Sequence, residues 1–207
     1  MDELNELIEE YGDIADTIEE FYDIMDISEE QKEERRKLAN ELFGVFLFLL
    51  SLVEIAKDAE YLDIDFISLQ FEMRFAPIVK SYARDDAYIN QYIRKVTDDV
   101  VGSTLRRIDE PYSLSDERAL GIALNESNSV LNYEEMADAI DSGYTMKTWR
   151  TMRDNRVRDS HKELEGKTIP IDDYFEVGNS LLLFPRDEDN CTDMSDISNC
   201  RCSLKYS

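Results

Sequence analysis

A chain of 207 residues with 23 Lys and Arg against 47 Asp and Glu has a formal net charge of −24 and a pI near 4.3. With 43% hydrophobic and 10% aromatic residues it is a folding chain rather than a disordered acidic tail, long enough for one domain or two small ones without staples. The charge argues against broad non-specific binding of nucleic acid or of an anionic membrane, because both draw affinity from clustered Lys and Arg. A basic or polar protein partner fits it better.

Residues 1–30 contain 13 Asp or Glu and no Lys or Arg, while Leu4, Leu7, Ile8, Tyr11, Ile14, Ile18, Phe21 and Tyr22 recur at spacings of three and four. This predicts an acidic amphipathic helix. The opening MDELNELIEEYGDI lacks the basic and apolar regions of a secretory signal. Ser28 followed by Glu29, Glu30 and Gln31 is an N-cap signature, with Lys32, Arg35, Arg36 and Lys37 placed to pair with the preceding acids. A second helix follows to about Ala59. It contains the strongest apolar run, Leu42 to Val53, which is too short to cross a bilayer and reads as a buried core.

Asp63 or Asp65 caps a third helix that Pro77 should end or kink. A fourth runs from about Asp85 to Arg107, and Pro111 closes the block. Ser113 and Ser115 are caps for a fifth helix reaching about Ser142, where Gly143 stops it. Beyond lie short strand candidates at Thr145–Trp149, Thr168–Ile171, Leu181–Phe184 and Cys200–Leu204, with turn or short helix over Asp154–Leu164. The fold class is α+β and predominantly α. A helical amino-terminal domain over 1–110 precedes a small α+β domain over 113–207 built on short antiparallel strands.

From Lys147 to Lys162 six basic residues (Lys147, Arg150, Arg153, Arg156, Arg158, Lys162) face two acidic ones (Asp154, Asp159). Two readings are open: the cations pair with the chain's own carboxylates, or they form a strip that contacts an anion or, weakly, DNA. His161 is the one histidine. With Cys191, Cys200 and Cys202 it makes the four soft or borderline ligands that a tetrahedral zinc site needs, and Cys200 and Cys202 on a strand would present both thiols on one face. The other readings are buried or merely reduced thiols in a reducing compartment, and a Cys–His nucleophile, for which no Gly-rich oxyanion turn stands out. Trp149 and Phe175 read as core of the small domain rather than as base-stacking aromatics.

The ordered series Trp149, Asp154, Arg156, Arg158, His161, Leu164, Gly166, Pro170, Phe175, Gly178, Pro185 and Asn199-Cys200-Arg201-Cys202 resembles the carboxyl-terminal domain of the phage Mu F-like minor head proteins, also called phage head morphogenesis proteins. The resemblance covers about residues 113–207. Upstream, Ile122 to Asn132 resembles the family's I-A-R-T-E helix: Glu126 and Asn132 match, but Leu124 stands where arginine is usual.

The resemblance implies a non-enzymatic minor capsid component of the virion. Its expected partners are the portal protein, the scaffold and the major capsid protein, with assembly in the host cytoplasm, a place in the head interior or at the portal vertex, and ejection with DNA. No membrane role and no appended toxin domain are expected. A rival of another class is an acidic decoy that occupies the nucleic-acid site of a host enzyme; the charge of −24 motivates it and the basic strip opposes it.

Overall fold

The computed structural model describes residues 14–207, and the first part of the predicted amino-terminal helix lies outside them. Residues 14–23 are helical (α1), with Ile18 and Tyr22 buried. Then come α2 (Glu29–Asp58), α3 (Ile64–Tyr82), α4 (Ala87–Arg106), a 3-10 turn (Pro111–Leu114) and α5 (Asp116–Asp141). The remainder holds β1 (Met146–Arg150), α6 (Asp159–Lys162), β2 (Thr168–Pro170), β3 (Phe175–Val177), β4 (Ser180–Leu182), a second 3-10 turn (Met194–Asp196) and β5 (Ser203–Tyr206). The architecture is α+β, mainly α, as the sequence predicts.

The caps are chemical. Ser28 accepts from the Gln31 amide while the Gln31 side chain accepts from the Ser28 amide, a reciprocal capping box. Asp63 and Asp86 accept from the Phe66 and Ile89 amides, and Ser115 from that of Arg118. At the end of α5, Gly143 adopts φ +81° and the Tyr144 amide donates back to the Ala139 carbonyl, closing the helix.

The chain divides into two compact units: the described residues up to Arg36 together with Ser127–Ser207, and Lys37–Glu126. This division does not fall at the 108–115 junction marked by the prolines and serines, because α2 and α5 each contribute residues to both units.

The all-helical unit is built around Phe46, Phe71 and Phe75, whose ring centroids lie 5.2 to 5.8 Å apart, with Leu42, Leu49 and Val53 of α2 and Ile89, Ile93 and Val96 of α4 also buried. The apolar run of α2 is therefore core. The whole helix, unlike the run alone, is long and apolar enough to cross a membrane by length and composition, yet half of its most apolar window is buried inside the protein.

Pro77 neither ends α3 nor marks its boundary: the helix continues to Tyr82. Pro77 sits on the exposed side, so the Met73 carbonyl that it leaves without an amide partner faces solvent.

In the other unit, β1 is the centre of a three-stranded antiparallel sheet in the order β2-β1-β5, and β3 pairs with β4 as a hairpin. Strand β3 carries no predicted counterpart. Strand β4 begins and ends earlier than the Leu181–Phe184 expected, and β5 starts only at Ser203. Cys200 and Cys202 thus precede the strand instead of lying on it, since their segment bends to place Asn199 at φ +54°.

Candidate metal centre of the carboxyl-terminal unit

Trp149 is the wall of the site. It alternates inward on β1 opposite Leu204, is fully buried, and meets Phe175 and His161 edge-on at 5.0 and 5.8 Å. The chain returns to it at Gly166, φ +76°, whose amide donates to the Trp149 carbonyl.

His161 lies in α6 and is buried. Its Nε2 sits 2.8 Å from the Asp196 carbonyl, which can only accept, so the proton is on Nε2 and Nδ1 faces the sulfurs. Nδ1 is 3.4 Å from Cys202 Sγ and 3.6 Å from Cys200 Sγ. All three ligand atoms lie within 4.8 Å of one another and all three residues are buried.

A second set of contacts fixes this arrangement. The Asp196 carboxylate accepts from the Asn179 amide and the Ser180 hydroxyl, which pins its carbonyl over the imidazole. Gly178, at φ +59°, makes this possible: a Cβ there would lie 2.1 Å from Asp196 Oδ1. The F-x-x-G spacing from Phe175 to Gly178 thus serves the histidine.

On the other side Asn128 and Asn132, one turn apart on α5, donate to the carbonyls of Cys200 and of Cys202. Asn132 also donates to Pro185. Both amide oxygens accept from Arg35, a fully buried residue of α2 whose guanidinium is also bidentate to Glu135 at 2.5 and 2.9 Å. Arg35 therefore departs from the expectation that it pairs with the acids preceding it: its carboxylate partner is Glu135. Arg36 and Lys32 do take such partners, Asp23 and Glu29.

The protons are distributed by this geometry. The Cys202 thiol beside Cys200 drives the Cys200 pKa well down against its burial, with the His161 imidazole assisting. Cys202 is driven well up by donating to Cys200 and by burial. His161 is raised, because its Cys200 partner outweighs the desolvation that opposes its charge. The indole N–H of Trp149 is buried without an acceptor at hydrogen-bonding distance, yet it favours the charged form of Cys202.

A tetrahedral zinc, with Zn–S near about 2.3 Å and Zn–N about 2.0–2.1 Å, places neighbouring N and S ligands about 3.6 Å apart. The two Nδ1 to Sγ distances bracket that value. An Nε2–H committed to a carbonyl is the usual outer support of a ligating histidine, and an orphaned indole donor beside a sulfur suits a thiolate. The residues present fit a metal held by His161, Cys200 and Cys202. Cys191 stands apart: its thiol donates to the Asp193 carbonyl and lies 3.7 Å from Ser180 Oγ, so the structure does not bring the expected fourth ligand to the cluster.

Of the motif arginines, Arg156 is exposed, Arg158 is half-buried and Arg201 is largely buried. Arg201 pairs with Asp154 at 2.8 Å, Asp154 also accepts from the Arg156 amide, and Arg158 donates to the Ser198 carbonyl. Of the basic strip, Arg150 and Arg153 share Glu165, Lys162 pairs with Asp159, and Lys147 is buried with its ammonium on the Leu183 carbonyl. Pairing with the chain's own groups is the reading of the strip that the structure supports.

Glu126 lies in the other unit, where it accepts from the Tyr92 hydroxyl at 2.5 Å, and Leu124 is buried. Arg35, Asn128 and Asp196 do positioning work that the sequence reading missed, whereas Gly178 was already part of the motif series. The N-x-x-x-N spacing on α5 was the one signal for it, since Arg35 lies 93 to 100 residues from its partners.

A three-stranded sheet with a buried Trp-His-Cys-Cys cluster clasped by a helix defines a small α+β module. A family model described as Phage Mu protein F like protein matches residues 88–205, and the chain belongs to that family of bacteriophage head morphogenesis proteins. The match begins within α4, upstream of the resemblance read from the sequence. No curated protein and no solved structure matches the chain.

Proposed function

We propose that this protein is a non-enzymatic minor component of the phage head, present in few copies, that acts during head assembly at or near the portal vertex and leaves with the DNA. Membership of the Mu F-like family is the observation that carries this reading. The interior of the carboxyl-terminal unit supports it. The cavity lined by His161, Cys200 and Cys202 has a volume of about 10 Å³, which is less than a substrate needs. The cluster is built to hold a fold together.

The expected partners are the portal protein, the scaffold and the major capsid protein. Mass spectrometry of purified immature and mature heads tests the assignment: the chain is expected in heads at substoichiometric copy number, and its absence from both overturns it. Co-expression with the portal protein followed by size-exclusion chromatography with light scattering tests the location, through a stoichiometric complex.

We also infer that the ion held by His161, Cys200 and Cys202 is zinc. Two thiolates neutralise a divalent charge, and in a buried structural site zinc binding is folding free energy.

A further inference from the structure

Helix α3 is apolar on two opposite faces. Ile67, Phe71, Phe75 and Val79 are buried, as a core face requires. The opposite face carries Phe66, Leu69 and Met73, at 49, 56 and 61% exposure and spaced three and four apart. Near Phe66, Ile55 at the end of α2 is 66% exposed and Tyr61, in the connection between the helices, 70%. Leu52, Ile55, Ala56, Ala59, Tyr61, Phe66 and the capping Asp63 line a groove of about 440 Å³. Helices that are apolar all round are normally covered, and contiguous exposed apolar side chains mark interaction surfaces.

The rim identifies the occupant. Asp63 lines the groove, Asp58, Glu60 and Asp65 are exposed and adjoin its lining residues Ala59, Tyr61 and Phe66 in the chain, and the nearby cation Lys57 is paired with Asp109. Asp58, Glu60 and Asp65 have no ion-pair partner among the described residues. A second copy of the chain docked face to face would oppose two such rims, and like charges brought together cost binding. A cationic segment with an apolar face satisfies both features at once.

We propose that the α2–α3 groove binds a basic amphipathic helix of a partner protein, its apolar side chains laid on Ile55, Tyr61 and Phe66 and its Lys or Arg residues on the neighbouring carboxylates. The groove lies outside residues 88–205, so it belongs to the part of the chain that the family match does not cover. The inference does not depend on where in the virion the protein resides.

The test uses the full chain and two fluorescein-labelled 14-residue Leu/Lys peptides of equal composition, one patterned as an amphipathic helix and one scrambled, in fluorescence anisotropy at 0.15 M salt. The patterned peptide is expected to bind at least about tenfold more tightly than the scrambled one. Ile55→Glu and Phe66→Glu, at exposed positions and checked for unchanged melting, should each remove most of that difference. Asp99→Asn, an exposed carboxylate of α4 away from the groove, should leave it intact. Equal binding of both peptides, or groove variants that bind as the wild type does, overturns the proposal in favour of charge alone. A concentration-dependent dimer in light scattering that Phe66→Glu dissolves overturns it in favour of a copy–copy interface.

Discussion

At the residue scale, His161 shows how one side chain gains a role from its neighbours. Its Nε2–H is committed to the Asp196 carbonyl, leaving Nδ1 for Cys200 and Cys202. Protein purified from zinc-supplemented medium should hold about one zinc per chain, and Cys200→Ser or His161→Ala should remove it. Cys191→Ser should retain it, which separates the three-residue cluster from the four-ligand set expected from sequence; metal analysis by mass spectrometry reads all three. Chelation should lower the melting temperature of the wild type.

Lys147 is a second instance, with a pH signature. Burial pushes its pKa down to about 8, against the opposing charges of Asp172, Asp187 and Asp173. Below pH 8 both folded and unfolded chains carry the proton; between about 8 and 10.5 only the unfolded chain does, so stability rises with pH across that window. The full shift is worth about 3 kcal/mol. Urea midpoints from pH 7.5 to 9.5 should rise for the wild type relative to Lys147→Met, and parallel curves would show that the buried ammonium is not strained. Tyr22, raised to about 12 by burial, acts in the opposite sense above pH 10, so the comparison belongs below that.

At the element scale, Arg35 ties α2 to α5 within the carboxyl-terminal unit. Arg35→Met would strand Glu135 with little solvent and leave the amide oxygens of Asn128 and Asn132 unsatisfied. Losing one partner of such a buried pair costs about 3–5 kcal/mol, and chemical denaturation should show a loss of at least about 3. Adding Glu135→Leu should recover the carboxylate's part but not that of the two asparagines, because no new donor faces them.

These interactions also mark what the sequence could and could not disclose. Helices α2 to α5 were legible because caps such as Ser28, Asp63 and Gly143 and a period near 3.6 are local signals. The three-residue strands were legible only in part, since β3 and β4 span too few residues to show alternation, and Cys200 and Cys202 look like strand positions until the turn at Asn199 is seen. Pro77 reads as a stop or a kink because sequence does not reveal that the carbonyl it frees faces water. The Trp149, His161 and Cys200–Cys202 part of the site was legible from residue order; its supports were not, because Arg35 to Glu135 spans 100 residues and nothing local announces it.

At the scale of the whole molecule the excess of carboxylates dominates. Were every one of the 23 Lys and Arg matched to one of the 47 Asp and Glu, 24 carboxylates would still lack a partner, as 47 less 23 shows. The exposed pairs that do form, such as Lys32–Glu29 and Lys162–Asp159, contribute at most about 1 kcal/mol each. Self-repulsion in the folded state should therefore outweigh attractive surface pairs, and salt should relieve more than it removes as the screening length falls from about 20 Å near 20 mM to about 4 Å near 500 mM. The melting temperature should rise by several degrees over that range of NaCl at pH 7.5, on the scale of about 2–4 °C per kcal/mol for a chain of this size. The same titration on the patterned peptide should weaken its binding, since there the carboxylates attract a cation. A melting temperature that falls with salt would mean that the paired minority of charges, not the unpaired carboxylates, sets the electrostatics of this protein.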